Sequence, residues 1–433
     1  MTFPKFSSYR LPNNIKLLFV PIDNVHTISV SVTINTGYFE ESNKEIGLAH
    51  FLEHMIARYL RDGPSMKKIK DKGVIVSTNA TTSIYRTSYY AYGSSKYQND
   101  ILKLILDTYN YREVDNKIFD NEKTAVIVEM KKKMIRKEII AFIKEIPIMI
   151  FGRNTKIQTD PQKHINVVSK SKPSDLINFM NKNYLPGKTT ITISGKFNKI
   201  NIMKIINELL KNKVKTSSIQ KRTLSQVKNG IFPKIKIIPE QNRKVTKIII
   251  SFLIFNSYHY EKKYMAEFLS TILSRIGNNS ILFDRLRTKL GVTYSPHSLT
   301  DIYHNFGQFY FTLEVEPKNI ETTLVELSKI IKELKTKLID DHLIKLGKSK
   351  LQLDIKEEMY NSNPNKYLKY ADKIIDEEEI INPQQIYNKY YKKFKKSDIK
   401  TISNNMFKIN KCYMAFVGAC PLSSRKIRSI FLI

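Results

Sequence analysis

Cysteine is almost missing from this 433-residue chain. Two residues, Cys412 and Cys420, cannot frame a disulfide scaffold, so a cytoplasmic or other reducing compartment is the expectation. Tryptophan is absent altogether. No run approaches the roughly 18 apolar residues that a membrane span needs, and none is expected. The first twenty residues contain neither an apolar signal core nor an arginine-rich amphipathic presequence, and they lead into a strand-like stretch at residues 15–20. Negative charge is short as well: 40 Asp and Glu stand against 72 Lys and Arg, a net charge of +32. The lysines are spread over the whole length, with clusters at residues 131–133 and 390–396, and form no separate basic arm. Three readings of that charge stay open. It contacts nucleic acid through phosphates, it draws acidic peptides toward a site, or it reflects a Lys, Ile and Asn-rich composition of an AT-rich genome with lysine as surface filler, which is the simplest.

What the chain does contain is enough apolar material, 42% hydrophobic with 11% aromatic residues, for two domains of about 200 residues each. Its most specific feature is His50-Phe51-Leu52-Glu53-His54. On a helix the two histidines stand at i and i+4, so both imidazoles leave one face a turn apart, the spacing that one zinc ion needs. Glu53 lies on the same side. This inverted order, H-x-x-E-H, lets the glutamate hold and deprotonate a metal-bound water instead of ligating the metal. With 8 His and 40 acidic residues in the chain, random placement yields the pattern on the order of once per hundred such chains. Leu48, Phe51, Leu52 and Met55 form the apolar stripe of an amphipathic helix whether or not the histidines bind metal.

A catalytic zinc takes three protein ligands and leaves one position open. The other histidines, His26, His164, His259, His297, His304 and His342, are scattered and read as surface or satisfied core residues. A carboxylate is the remaining candidate. The segment from Asp120 to Met134 reads as a helix with Glu122 and Glu129 seven residues apart on one face, beside the apolar Ala125, Val126 and Val128.

With these residues in view, the chain resembles the half-length members of the pitrilysin, insulin-degrading enzyme and mitochondrial processing peptidase family. That family's pattern is H-x-x-E-H, followed roughly 75 residues later by a ligand glutamate with a second glutamate seven residues before it. The resemblance implies that His50, His54 and Glu129 bind one Zn2+ per chain, that Glu53 is the general base, and that Glu122 orients a ligand or tunes the water. Two more stretches match. Residues 79–90 resemble the family's N-A-x-T-x-x-x-x-T-x-Y-Y strand pair, implying that Asn79 and Ala80 hold a substrate added as a β-strand. Residues 283–295 are similar to its L-R-x-x-x-G-x-x-Y signature, implying that Arg287 and Tyr294 meet the substrate.

The coarse pattern predicts strands near residues 14–20 and 26–36, a helix at 45–59, a strand pair over 75–93, helices at 97–110 and 116–145, a strand ending near 195 and a helix at 199–212. A Lys, Ser and Thr-rich stretch at 213–230 reads as a linker. The plan then repeats: a strand at 245–255, a helix at 261–275, strands near 292–302 and 307–316, long charged helices over 318–395 and a last strand at 412–418. The expectation is an α+β chain of two similar layered α/β domains, 1–212 with the metal site and 231–433 without one. By resemblance each chain is a half-shell of a clam-like chamber, completed by a second copy or a different protein as a homo- or heterodimer. The function expected is zinc-dependent endopeptidase action on peptides or unfolded segments. The alternative is a catalytically idle scaffold or nucleic-acid-associated subunit of the same fold.

Overall fold

The computed structural model describes residues 3–111, 114–212, 214–216, 222–359, 362–376 and 379–433. Its strands are rich in β-branched and aromatic residues. In chain order they are β1 (Ser7–Arg10), β2 (Lys16–Pro21), β3 (Thr27–Ile34), β4 (Val76–Thr82), β5 (Thr87–Ser94), β6 (Thr189–Gly195), β7 (Lys234–Ile238), β8 (Thr246–Ile254), β9 (His297–Ile302), β10 (Gly307–Val315) and β11 (Cys412–Val417). They form a six-stranded sheet in the order β1-β2-β6-β3-β5-β4 and a five-stranded sheet in the order β7-β11-β8-β10-β9. Apart from the edge strand β1, the two sheets correspond strand for strand. β2 with β6 and β7 with β11 are the parallel pairs, and every other contact is antiparallel. The α+β architecture is thus one plan used twice.

Two compact units result, each assembled from three segments: Met1–Ile135, Thr159–Lys221 and Met359–Ile381 in the first, Arg136–Gln158, Arg222–Glu358 and Asn382–Ile433 in the second. A linear division into 1–212 and 231–433 therefore leaves out one exchanged segment on each side. The reason lies in the alternation of β2. Leu17 and Phe19 enter the main helix-covered core. Leu18 and Val20 point to the opposite face, where they pack with Tyr367 and Tyr370 from the far half of the chain and with Phe3 and Phe6. Lys16, buried, donates through Nζ to the carbonyl of Ile374 at 3.0 Å. Arg86 pairs with Asp372 at 2.9 Å and with Asp376.

The second unit repeats the device with residues 137–151. Phe142 packs on Tyr310 at 5.5 Å between ring centroids and Phe151 on Phe306 at 5.4 Å. The single helix expected over 116–145 accordingly ends at Ile135, and Arg136 (φ −83, ψ 86) starts a new direction without glycine or proline. Of the expected linker, residues 213 and 217–221 lie outside the described residues. Further along it, Gln226 donates to the Tyr413 hydroxyl at 2.8 Å. Among the described residues no helix is long and apolar enough to cross a membrane.

Candidate metal centre

Three helices of the first unit build the site: α1 (Leu48–Asp62), α2 (Asn116–Ile135) and α3 (Pro161–Lys170). Leu48, Phe51, Leu52, Met55, Ile56 and Leu60 bury the apolar face of α1. This leaves His50, Glu53 and His54 on its other side. The helix starts at Gly47, whose φ of +93 is left-handed and suits glycine. Its cap comes from outside: the Glu41 carboxyl accepts from the Gly47 and Ala49 amides, both at 2.9 Å, and so satisfies two of the donors that a helix start leaves free. Burial pushes the Glu41 carboxyl up to about 8, against the opposing pull of those two amides.

Helix α2 packs on α1 through Phe119 and Phe51, with ring centroids 5.0 Å apart, and presents Glu122 and Glu129 to the histidines. Oε2 of Glu129 lies 3.5 Å from His50 Nε2 and 3.4 Å from His54 Nε2. All three candidate ligand atoms fall within 4.8 Å of one another, and His50, His54 and Glu129 are the one such group among the described residues. Separations of 3.4–3.5 Å are long for hydrogen bonds. They match the edge of a tetrahedron around zinc, where ligands at about 2.0–2.1 Å stand roughly 3.3 Å apart. The donor set of two imidazoles and a carboxylate is also what zinc takes at catalytic sites.

The partners of these candidate ligands fix which atoms face the centre. His54 turns Nδ1 toward Glu122 Oε2 at 3.3 Å, which leaves Nε2 for a metal. Arg58 approaches the other Glu122 oxygen at 3.8 Å and holds Asp62 at 2.7 Å. Lys133, one turn after Glu129, takes Glu129 Oε1 at 2.8 Å, so a single carboxylate oxygen faces both histidines. The facing His50, then His54, with Lys133 after them, hold the Glu129 carboxyl well below the usual carboxylate range. For His54, burial disfavours the charged ring, but Glu129 and Glu122 outweigh it and raise its pKa. Glu53 is half-buried and makes no hydrogen bond or ion pair with another described residue. Burial pushes the Tyr38 hydroxyl up, and the nearby Glu41, Glu53 and Glu129 add to it.

The structure brings together four of the residues singled out in the sequence, His50, His54, Glu122 and Glu129, with Glu53 on the same helix. Asn79 and Ala80 lie on β4, the edge strand of the first sheet, opposite Tyr90 and Tyr89 of β5, and Asn79 Oδ1 accepts from the Ala80 amide at 2.8 Å. In the second unit Arg287 sits with its guanidinium carbon 4.5 Å from the Phe283 ring centroid and 4.1 Å from that of Tyr294, a ring that is 77% exposed.

Sequence reasoning missed three residues. Lys133 had a signal, its i+4 distance from Glu129. Glu41 and His164 had none, since each reaches the site through the fold. His164 is neither a surface nor a satisfied core residue: it is 1% exposed, its Nε2 has no hydrogen-bond partner, and its ring stands at 90° to that of His50 with centroids 5.4 Å apart. Burial, with His50 and Lys133 nearby, pushes its pKa down to about 3.

Comparison with known proteins gives a consistent picture. Residues 19–142 match the model of the insulinase family, peptidase family M16, and residues 172–351 match that of the peptidase M16 inactive domain. The chain is 22% identical over 400 residues to an uncharacterized zinc protease of Rickettsia bellii, covering 87% of this chain and 90% of that one. It is 25% identical over 200 residues to the mitochondrial-processing peptidase subunit beta of Saccharomyces cerevisiae, covering 44% and 41%. A protease from Helicobacter pylori shares the fold with a TM-score of 0.82 at 18% identity, over 96% of this chain and 100% of that one.

Proposed function

Because the chain is a half-length member of the pitrilysin-type M16 peptidase family, we propose that it is a zinc-dependent metalloendopeptidase acting on peptides or unfolded segments. The observation that carries this reading is the 3.4–3.5 Å convergence of two imidazole Nε2 atoms on one carboxylate oxygen. His50, His54 and Glu129 hold one zinc ion. Zinc, when bound, supplies a Lewis acid for the scissile carbonyl and acidifies a water. Glu53, unpaired on the same helix face, takes the proton from the attacking water and returns it to the leaving amine. Glu122 holds the His54 ring in the ligating orientation. The free edge of β4 at Asn79 and Ala80 takes the substrate as an added strand, a mode that bonds to main chain and asks little of sequence. Arg287 and Tyr294 meet the substrate, and two chains, identical or different, form the working dimer.

The test is a metal assay joined to a cleavage assay. Purified protein should contain about one zinc per chain and cleave a quenched peptide, with cleavage lost to a chelator and restored by zinc. Protein that binds zinc yet cleaves no peptide, alone or with a partner subunit, would identify an idle scaffold instead.

A further inference from the structure

Among the described residues, two buried ring nitrogens at this site have no hydrogen-bond partner, His50 Nδ1 and His164 Nε2. Unpartnered buried polar atoms are rare, because each forfeits the hydrogen bonds it made with water. Here one is able to donate and the other to accept, and their rings are perpendicular neighbours with centroids 5.4 Å apart. The Nε2 of His50 is committed to the side facing Glu129, at 3.5 Å. A neutral imidazole that ligates through Nε2 carries its proton on Nδ1, and ligating histidines pass that proton to an acceptor that fixes ring and tautomer. His54 has such an acceptor in Glu122, at 3.3 Å. His50 has no hydrogen-bond acceptor for Nδ1.

Gly47 places His164 beside it. A Cβ at Gly47 would stand 2.2 Å from His164 Cδ2 and 2.4 Å from its Nε2. The imidazole edge that carries Nε2 therefore presses on the backbone where α1 begins, one turn from His50.

We propose that His164 is a positioning residue of the metal centre: its Nε2 accepts the Nδ1 proton of His50, directly or across one water, and so commits His50 to ligate through Nε2. The inference rests on the zinc-binding reading above. His164 touches neither metal nor substrate, and its effect is on how firmly the ion is held.

The experiment titrates metal-stripped, full-length protein with zinc against a competing chelator. His164→Gln keeps an acceptor near the position of Nε2, whereas His164→Met is of similar length and offers none of comparable strength. His164→Met should bind zinc about 10- to 100-fold more weakly than wild type, and His164→Gln should recover most of that loss. Unchanged affinity in His164→Met, or equal losses in both variants, would overturn the proposal and leave His164 as packing. Should His164→Met fail to fold, long-range imidazole NMR of zinc-loaded wild type decides the matter. A His164 protonated on Nδ1 with bare Nε2 supports the proposal, and one protonated on Nε2 refutes it. Wild type that binds no zinc would instead bring down the metallopeptidase reading, and this inference with it.

Discussion

On the proposed reading, Glu53 and the three candidate ligands divide the labour so that single substitutions separate binding from chemistry. Glu53→Gln removes the proposed base and leaves His50, His54 and Glu129 intact, so it should retain zinc by metal analysis while peptide cleavage falls by about 100-fold or more. His54→Ala should lose zinc and cleavage together. Glu122→Gln weakens the acceptor that holds His54 Nδ1 at 3.3 Å, and zinc affinity measured by chelator competition should fall about 10- to 100-fold. The two candidate histidines were readable because the pair 50/54 is local and fixed by helix period, whereas Glu129 as their partner was implied only by the family's spacing. His164 was not readable, since an isolated histidine in an amphipathic helix carries no mark of the ring it faces across the fold.

Helix α1 depends on Glu41, which lies outside it. The two backbone donors of Gly47 and Ala49 at 2.9 Å lose their partner in Glu41→Ala, which should destabilise the protein by about 1–3 kcal/mol in denaturant titrations. The Glu41 carboxyl, raised from 4.5 to about 8 by burial, also gives stability a pH dependence. Between those values the folded chain keeps a proton that the unfolded chain has released, so stability attributable to this group is full below 4.5, declines as pH rises and levels off above 8. Thermal midpoints of wild type and Glu41→Gln, compared from pH 5 to 8, should show the wild type losing ground as pH rises; parallel curves would refute it. The existence and order of the strands and of α1 followed from periodicity and from β-branched runs. The end of α2 at Ile135 did not, because the apolar residues 139–151 continue a helical pattern whose receiving surface is another sheet. Composition marks such a segment as buried without saying where.

The two sheets share one strand order, so the duplication was legible as a repeated series of elements. The exchange of segments was not, because nothing in residues 359–376 distinguishes a cover for β2 from a continuation of the second unit. Its energetic weight is testable. Tyr367 is 2% exposed and packs against Leu18 and Val20, so Tyr367→Ala should cost about 3–5 kcal/mol and loosen the unit that holds the candidate site, read as a lower thermal midpoint and faster zinc release. Likewise, residues 1–212 expressed alone lack the cover of Leu18 and Val20 and should be insoluble or zinc-poor, whereas co-expression with residues 222–433 should restore both. The net charge of +32, by contrast, comes from lysines and arginines spread along the whole chain. The exchanged cover also bears on truncation. The second unit holds none of the candidate ligands, yet the chain runs through it before residues 362–376 return to cover β2 in the first. A chain cut short before residue 362 therefore loses the cover of Leu18 and Val20 in the first unit as well.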